Sequence, residues 1–507
     1  MNTVQSVVEE KIKTSRMAQK TWCGLSWPER VKAVRPLVSY LAEHGEEIAA
    51  LISRENGKTM VDALATEVIP AALGVGYYCR LGKRFIKGQR ISGGSILLAN
   101  KQSRLVYQPY GVVGIISPWN YPFAIPFSEV VMALLAGNGV ILKVASNTLQ
   151  IGRALAAAFE SLPLPPGLFQ YIEVPGKEAG PAMIAGGVDK LFFTGSTAVG
   201  RELMALAAPR LLPLVLELGG ADAAIVRSDA DLERTAAGLV WAGLSNAGQS
   251  CGGAQRLFVH QSVYEEFLEI LGRRVKALRV GSSIVGDEVQ WDCDMGCMTS
   301  RQQKEEVRRQ IQACLDGGAR IYARSPLGEM DGEGLDFPAL ILTDVSRDMP
   351  IMREEIFGPV MAVVPVANDE EAITLANDSI YGLTGSVWTR DAKRGFEIAR
   401  QIRAGAVMIN DHLMSHGLAQ TPWGGFGASG LGRTHGEAGF REMLQSQVIV
   451  QDLLPGVKKN LWWHPYSRQV FEGLLAILNT VGSRGLVKKS KALVRLAGFV
   501  FRYWDRS

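Results

Sequence analysis

Apolar residues recur at helical spacing through residues 28–90, beginning with PERVKAVRPLVSYLAEHGEEIAALISRENG, which has Pro28 near its start and Gly57 near its end. That spacing predicts helices. From about residue 104 the pattern shortens to β-branched runs broken by Gly and Pro, as in RLVYQPYGVVGIISPWN. GVILKVA (139–145) predicts a buried strand and TLQIGRALAAAFESL a helix. LFQYIEVPG predicts a strand, GPAMIAGG a short helix, KLFFTGS a strand, TAVGRELMALAA a helix and PLVLELGG a strand. The alternation resumes with AQRLFVH as a strand and SVYEEFLEILGRRVKAL as a helix. REEIFGPVMAVVPV predicts a strand pair around a Gly-Pro turn. DEEAITLAND and RDAKRGFEIARQI predict helices, and GAVMIN a strand. Strands alternating with helices imply βαβ crossovers and a mostly parallel sheet, in two α/β units with a break near Gly219–Gly220.

The chain has 507 residues, 47% hydrophobic and 21% charged. That excludes a disordered, collagenous or coiled-coil chain and suits two to four domains. The net charge of +4 gives no case for nucleic-acid binding, and its distribution is uneven. Residues 456–507 hold ten Lys or Arg against Glu472 and Asp505, a net +8, which leaves −4 for the rest. Six scattered cysteines make no disulfide framework. The N-terminal residues lack a signal-peptide pattern, and no apolar run approaches the ~20 residues of a membrane span, so the cytoplasm is the expected compartment.

Several positions invite chemistry. Cys251 sits among small residues in NAGQSCGGAQ, approachable as a nucleophile and equally acceptable as a small hydrophobe. Glu217, in LELGG, closes an apolar strand; it is either a salt-bridged carboxylate or a base at a domain cleft. Asn120 lies between prolines in SPWNYPF, as a fixed N–H donor or a turn cap. FFTGSTAVG places Gly195 in a strand-to-helix turn, a weak cofactor signal by itself. Lys143 stands at the carboxyl end of a strand, where cofactors bind in open α/β sheets.

Together PWNYP, FTGSTAVG, LELGG, GQSC, EEIFGPV and PWGGFGASGLGRTHG, in that order, resemble the aldehyde dehydrogenase superfamily over roughly residues 25–450. The resemblance implies Cys251 as nucleophile, Glu217 as general base and Asn120 as oxyanion donor beside the Cys251 N–H. It further implies Lys143 and Ser146 near the adenosine ribose, and Gly195 and Ser196 beside the nicotinamide and pyrophosphate. Glu355 would lie on the nicotinamide ribose, with Phe357 and Trp119 near the cofactor. The implied reaction is oxidation of an aldehyde to an acid with NAD or NADP through a thiohemiacetal and a thioester.

The family usually has Glu where Ser146 stands; its absence removes repulsion of a 2′-phosphate, so NADP is expected to be tolerated. Ala221 and Ala428 replace common lysines without an account. Cys293 and Cys297 lack two further ligands at metal-site spacing, and no metal is expected. Cys23 and Cys79 are expected to pack. His412 and His416 are expected near the substrate tunnel, shaping specificity or serving as plain loop residues. The tail 456–507 joins basic, aliphatic and aromatic residues, as an interfacial membrane helix does; a subunit contact or a cover over the tunnel mouth is the competing reading. Its WWHPYS style is similar to that of the branch with long-chain and carotenoid-aldehyde members, which points to a lipophilic aldehyde.

The expected fold is α/β. A Rossmann-like cofactor domain spans 1–90 and 110–219 and an α/β catalytic domain 220–425. A small β extension (91–109 and 437–452) is suited to pairing subunits in a homodimer or homotetramer. Three alternatives remain: a semialdehyde substrate, a silent scaffold homologue, and a hydrolase using Cys251 without oxidation.

Overall fold

The computed structural model describes residues 3–92, 94, 98, 100–286, 288–326, 333–457, 460, 463–482 and 484–500. The chain divides into two compact units, residues 1–87 with 108–445 and residues 88–107 with 446–507.

The larger unit is built on two mostly parallel sheets. The first has six strands in the order Gly430–Leu431, Leu214–Glu217, Lys190–Thr194, Val112–Ile116, Gly139–Lys143 and Phe169–Tyr171, parallel except for the first pair. Val112–Ile116 and Gly139–Lys143 are buried at every position, as near-continuous apolar runs covered on both faces should be. The helix Ala124–Ala136 is apolar nearly all round and accordingly almost wholly buried. A helix not expected from the sequence, Thr3–Trp22, buries Val8 and Ile12 against Val112, Ile141 and Leu191.

The second sheet has seven strands in the order Arg320–Arg324, Leu340–Thr343, Val360–Val366, Ala254–His260, Asp222–Val226, Thr384–Trp388 and Ala406–Ile409, parallel except for the first pair. A single core encloses it, including Ile225, Leu257, Phe258, Phe267, Ile341 and Val363.

The helical stretch 28–90 resolves into Trp27–Val34, Leu37–Asn56 and a run from Met60 to Phe85. Gly57 closes the second helix at φ 90°, the left-handed C-cap that glycine adopts without strain. Thr59 caps the next helix by accepting the Asp62 N–H at 3.0 Å. A π-turn, Leu64–Val68, interrupts that run. Met60–Phe85 is the one described helix long and apolar enough to span a membrane, and half of its apolar window is buried in the protein. REEIFGPVMAVVPV is not a strand pair. Pro350–Arg353 is helical, only Val360–Val366 is strand, and the Glu354–Phe357 link between them is irregular. Its Gly-Pro turn breaks the ladder before the strand begins.

In the smaller unit, Gln89–Ile91, Lys101–Pro109 and Leu444–Asp452 form a three-stranded sheet, with Lys101 paired to Asp452. The tail folds as two helices, Arg468–Gly482 and Leu486–Val500, joined through Val470, Leu496 and Phe499. Gly473 lets the Phe499 ring close onto the first helix, because a Cβ there would overlap the ring. Phe471, Leu478 and Val481 stay exposed. Lys458, Lys459, Trp462 and residues 501–507, including Arg502, Asp505 and Arg506, lie outside the described residues.

Candidate active site

Four strands of the six-stranded sheet deliver side chains at their carboxyl ends. Val112–Ile116 leads into Ser117–Asn120, Gly139–Lys143 ends at Lys143, Lys190–Thr194 leads to Gly195 and Ser196, and Leu214–Glu217 ends at Glu217. The chain proceeds from Val112–Ile116 to one side of the sheet and returns to its other side with Lys190–Thr194. The crevice above such a switch point is where open α/β sheets bind ligands.

Cys251 comes from the other sheet, three residues before the strand Ala254–His260. The turn leading to it is strained: Asn246 and Ala247 both have positive φ (52° and 51°), and Gly248 follows at 68°. At Gly248 a Cβ would overlap the Gly358 carbonyl, so glycine alone fits. The carbonyl of Gln249 accepts Asn120 Nδ2 at 3.1 Å and Asn246 Nδ2 at 3.0 Å, which ties the Asn120 side chain to the Cys251 loop. Ser250 accepts the Tyr121 hydroxyl at 3.1 Å.

Carboxyls crowd the sulfur. Burial, then Glu355, Asp222 and Glu217, push the Cys251 thiol well above its ordinary range. Burial and the nearby Glu129 push Glu217 well above the usual carboxylate range, with Arg433 pulling the other way. Neither Glu217 oxygen has a hydrogen-bond partner among the described residues. Burial raises Asp222 to about 8 and Glu355 to about 7; Asp222 accepts the Thr384 N–H at 2.8 Å and Glu355 the Gly220 N–H at 3.1 Å. Burial thus disfavours the charged forms of the thiol and of the carboxyls around it.

Cys251 lines two clefts. The larger, with about 1420 Å³ of empty space, also holds Trp119, Asn120, Lys143, Ser146, Gly195, Ser196, Glu217, Glu355 and Phe357. Every residue that the resemblance assigns to catalysis or to cofactor binding therefore lines one cleft. A dinucleotide fits this donor set. Lys143 is buried, its charge disfavoured by burial, and has no side-chain partner among the described residues. Ser146 is exposed at the cleft, and Ser196 caps the helix Thr197–Ala207, whose N-terminus suits a phosphate. Gly195 lies against the Phe193 ring, where a Cβ would sit 2.6 Å from it. Trp119 and Phe357 meet edge to face at 5.3 Å, with Phe357 held at φ 55°. Gln303, Glu306 and Gln310 of the helix Arg301–Asp316 complete the wall; the sequence offered no motif for them.

The second cleft, with about 740 Å³ of empty space, runs from Cys251 past Tyr121, Trp241, Leu413, Met414 and Trp423, with Ala65, Thr66 and Pro70 on the facing side. Among the described residues no Lys, Arg, Asp or Glu lines it. His416 does line it, its pKa pushed down to about 3 by burial and by the neighbouring His435. His412 does not. It is buried beneath the nucleophile loop, with Nε2 3.0 Å from the Gly252 carbonyl and Nδ1 2.8 Å from Ser386 Oγ. Asp222, Lys58, Glu67 and Asn246 were not singled out in the sequence, because the groups they bind lie far along the chain.

Elsewhere Cys23 is exposed rather than packed, and Cys79 is half-buried. Cys293 and Cys297 donate to the Gly281 carbonyl at 2.8 Å and to Asp336 at 2.9 Å. Among the described residues no group of three His, Cys, Asp or Glu is placed to hold a metal ion.

A family model described as the aldehyde dehydrogenase family matches residues 2–449. A 4,4′-diapolycopene aldehyde oxidase of Methylomonas sp. is 35% identical over 94% of this chain and 87% of its own length. A Mycobacterium ulcerans protein, provisionally named succinate-semialdehyde dehydrogenase (NADP+) 2, is 34% identical over 94% and 89%. Among solved structures, lactaldehyde dehydrogenase from Escherichia coli superposes with a TM-score of 0.83 at 31% identity, covering 88% of this chain and 91% of that one. Betaine aldehyde dehydrogenase from Staphylococcus aureus in complex with NAD+ gives 0.82 at 30%, covering 90% and 89%.

Proposed function

The chain belongs to the aldehyde dehydrogenase family, and from that premise we propose that it oxidises a lipophilic aldehyde to the carboxylic acid with NAD or NADP. The observation that carries this reading is the position of Cys251 at the junction of an apolar cleft and a cleft suited to a dinucleotide. When bound, the nicotinamide serves as hydride acceptor.

Cys251 gives up its proton to solvent water, and the thiolate attacks the aldehyde carbon. The Asn120 side chain and the Cys251 N–H hold the developing alkoxide. Loss of hydride from the tetrahedral adduct leaves an acyl thioester on Cys251. Glu217 then takes a proton from water as the water attacks, and the acid leaves with Cys251 restored. Lys143, Ser146, Gly195, Ser196, Glu355, Phe357 and Trp119 hold the dinucleotide in this reading. The part built on the six-stranded sheet serves as cofactor domain and the part on the seven-stranded sheet as catalytic domain.

The lining of the second cleft supports a lipophilic substrate. A semialdehyde carboxylate needs a cation, and the described lining has none. The Methylomonas relative acts on a carotenoid aldehyde by its name, whereas the name of the Mycobacterium relative favours the semialdehyde. A panel read at 340 nm separates them, crossing short, medium and long aliphatic aldehydes, aromatic aldehydes and succinic semialdehyde with NAD and NADP. Rising kcat/KM with chain length is expected; a preference for the semialdehyde overturns the reading. Absence of cofactor reduction with every aldehyde leaves the scaffold, or the hydrolase if esters or thioesters are cleaved without cofactor.

The same reading places the enzyme in the cytoplasm as a homodimer or homotetramer paired through the three-stranded sheet. The tail's exposed Phe471, Leu478 and Val481, together with Lys488, Lys489, Lys491 and Arg495, support contact with an anionic membrane surface.

A further inference from the structure

The loop that carries Asn120 is gripped from beneath by two buried charges. Lys58 follows the left-handed Gly57, and its side chain is wholly buried. Its Nζ donates to Glu67 Oε1 at 2.6 Å and to the Asn120 carbonyl at 2.5 Å, and stands 3.9 Å above the Tyr121 ring. The other oxygen of Glu67 accepts the Phe123 N–H at 2.7 Å and the Ala124 N–H at 3.0 Å. One ion pair thus holds three backbone groups on both sides of the Tyr121–Pro122 bend. Asn246 completes the clamp by donating to the Asn120 carbonyl at 3.1 Å and to the Gln249 carbonyl on the nucleophile loop.

Neither Lys58 nor Glu67 lines either cleft. Glu67 faces inward because it lies in the π-turn Leu64–Val68, a helix irregularity frequent at functional sites. Its neighbours Ala65 and Thr66 face the apolar cleft. Burying two charges costs free energy that a hydrophobic pair of similar volume does not, so stability alone is a poor account of the pair. What the pair supplies is geometry at Asn120.

We propose that Lys58 and Glu67 are positioning residues for the oxyanion donor. They fix the Asn120 backbone so that its Nδ2 meets the alkoxide formed on Cys251, and they thereby set the rate of acylation rather than the affinity for either substrate. The proposal rests on Asn120 being that donor.

The test is a double-mutant cycle on the full-length enzyme, with Lys58→Met and Asn120→Ala singly and together. The readouts are the first-turnover rate of NAD(P)H formation, KM for a medium-chain aldehyde and the dissociation constant of NAD(P)H by fluorescence. The alkylation rate of Cys251 by iodoacetamide is the control, since displacement at a saturated carbon builds no oxyanion. Lys58→Met is expected to slow acylation at least tenfold when Asn120 is present and less than twofold when it is Ala. KM, cofactor binding and alkylation are expected to stay within about twofold. Equal losses in both backgrounds, a parallel loss of alkylation, or no loss at all overturns the proposal. If Lys58→Met does not fold, Glu67→Gln, which keeps an oxygen for the two amides, carries the same cycle with the same non-additive result expected. An inert Asn120→Ala would instead sink the oxyanion assignment itself.

Discussion

Replacing Asn120 by Ala separates chemistry from folding. The substitution deletes Nδ2, whose resting contact is the Gln249 carbonyl at 3.1 Å. That carbonyl keeps Asn246 Nδ2 at 3.0 Å, so no buried acceptor is orphaned. The backbone carbonyl of residue 120 survives in alanine, and the bonds it accepts from Lys58 and Asn246 survive with it. The folding loss is therefore one side-chain hydrogen bond, about 1 kcal/mol, or a Tm loss of no more than a few degrees in a chain of this size. The catalytic loss is that of one of two oxyanion donors, about 10²- to 10³-fold in rate, or ~2.7–4 kcal/mol. Stopped-flow reading at 340 nm with saturating cofactor gives the first-turnover rate, and differential scanning calorimetry gives Tm. A first-turnover rate within about threefold of wild type refutes the reasoning. So does a Tm loss large enough that unfolded protein explains the missing activity.

Introducing a carboxylate with Ser146→Glu at the exposed cleft residue is expected to shift kcat/KM at least tenfold from NADP toward NAD, by repulsion of the 2′-phosphate; an unchanged ratio removes Ser146 from cofactor choice. Glu129 is buried and pushed up to about 8 by burial alone, so folding takes up a proton between its unfolded pKa near 4.5 and about 8. Its cost to stability is absent below pH 4.5 and grows with pH to about 5 kcal/mol near pH 8, so Glu129→Gln should gain urea resistance over wild type at pH 8 and not at pH 4.5; an equal gain at both contradicts this. Deleting residues 456–507 should abolish co-sedimentation with vesicles rich in phosphatidylserine and leave turnover of a soluble aldehyde intact; equal sedimentation of both proteins ends the membrane reading.

The sequence was most legible where chemistry and secondary structure share a signal. Glu217, Lys143 and Gly195 each sit at the end of a short apolar run, and a parallel strand ending in a polar residue or glycine points to the carboxyl edge of a sheet. Gly57 marked a helix end because a left-handed cap follows from the side chain it lacks. Glu354–Phe357 misled because its residues read as strand while the Gly-Pro that follows keeps them out of the ladder, and that irregularity is what places Glu355 and Phe357 in the cleft. Lys58 and Glu67 carried no signal in the sequence, since nothing local shows that a π-turn aims the Glu67 carboxylate at amides 56 and 57 residues away. Asp222 and His412 act beneath the nucleophile loop from strand ends and a loop distant in sequence, and only the register of the second sheet brings them there. The tail's charge was plain, whereas the packing of its two helices on each other depends on Gly473 admitting the Phe499 ring.

The central claim is that Cys251 carries the acyl group and Glu217 releases it. Glu217→Gln keeps the shape of a side chain whose oxygens have no hydrogen-bond partners among the described residues, so the nucleophile and oxyanion donors stay in place. The variant is mixed with a medium-chain aldehyde and NAD(P), and NAD(P)H and intact protein mass are followed together. The account predicts about one equivalent of NAD(P)H per active site, a mass gain equal to the acyl group mapped to Cys251, and steady turnover about 10²- to 10⁴-fold below wild type. Undiminished turnover, or an acyl group on any residue other than Cys251, would contradict it.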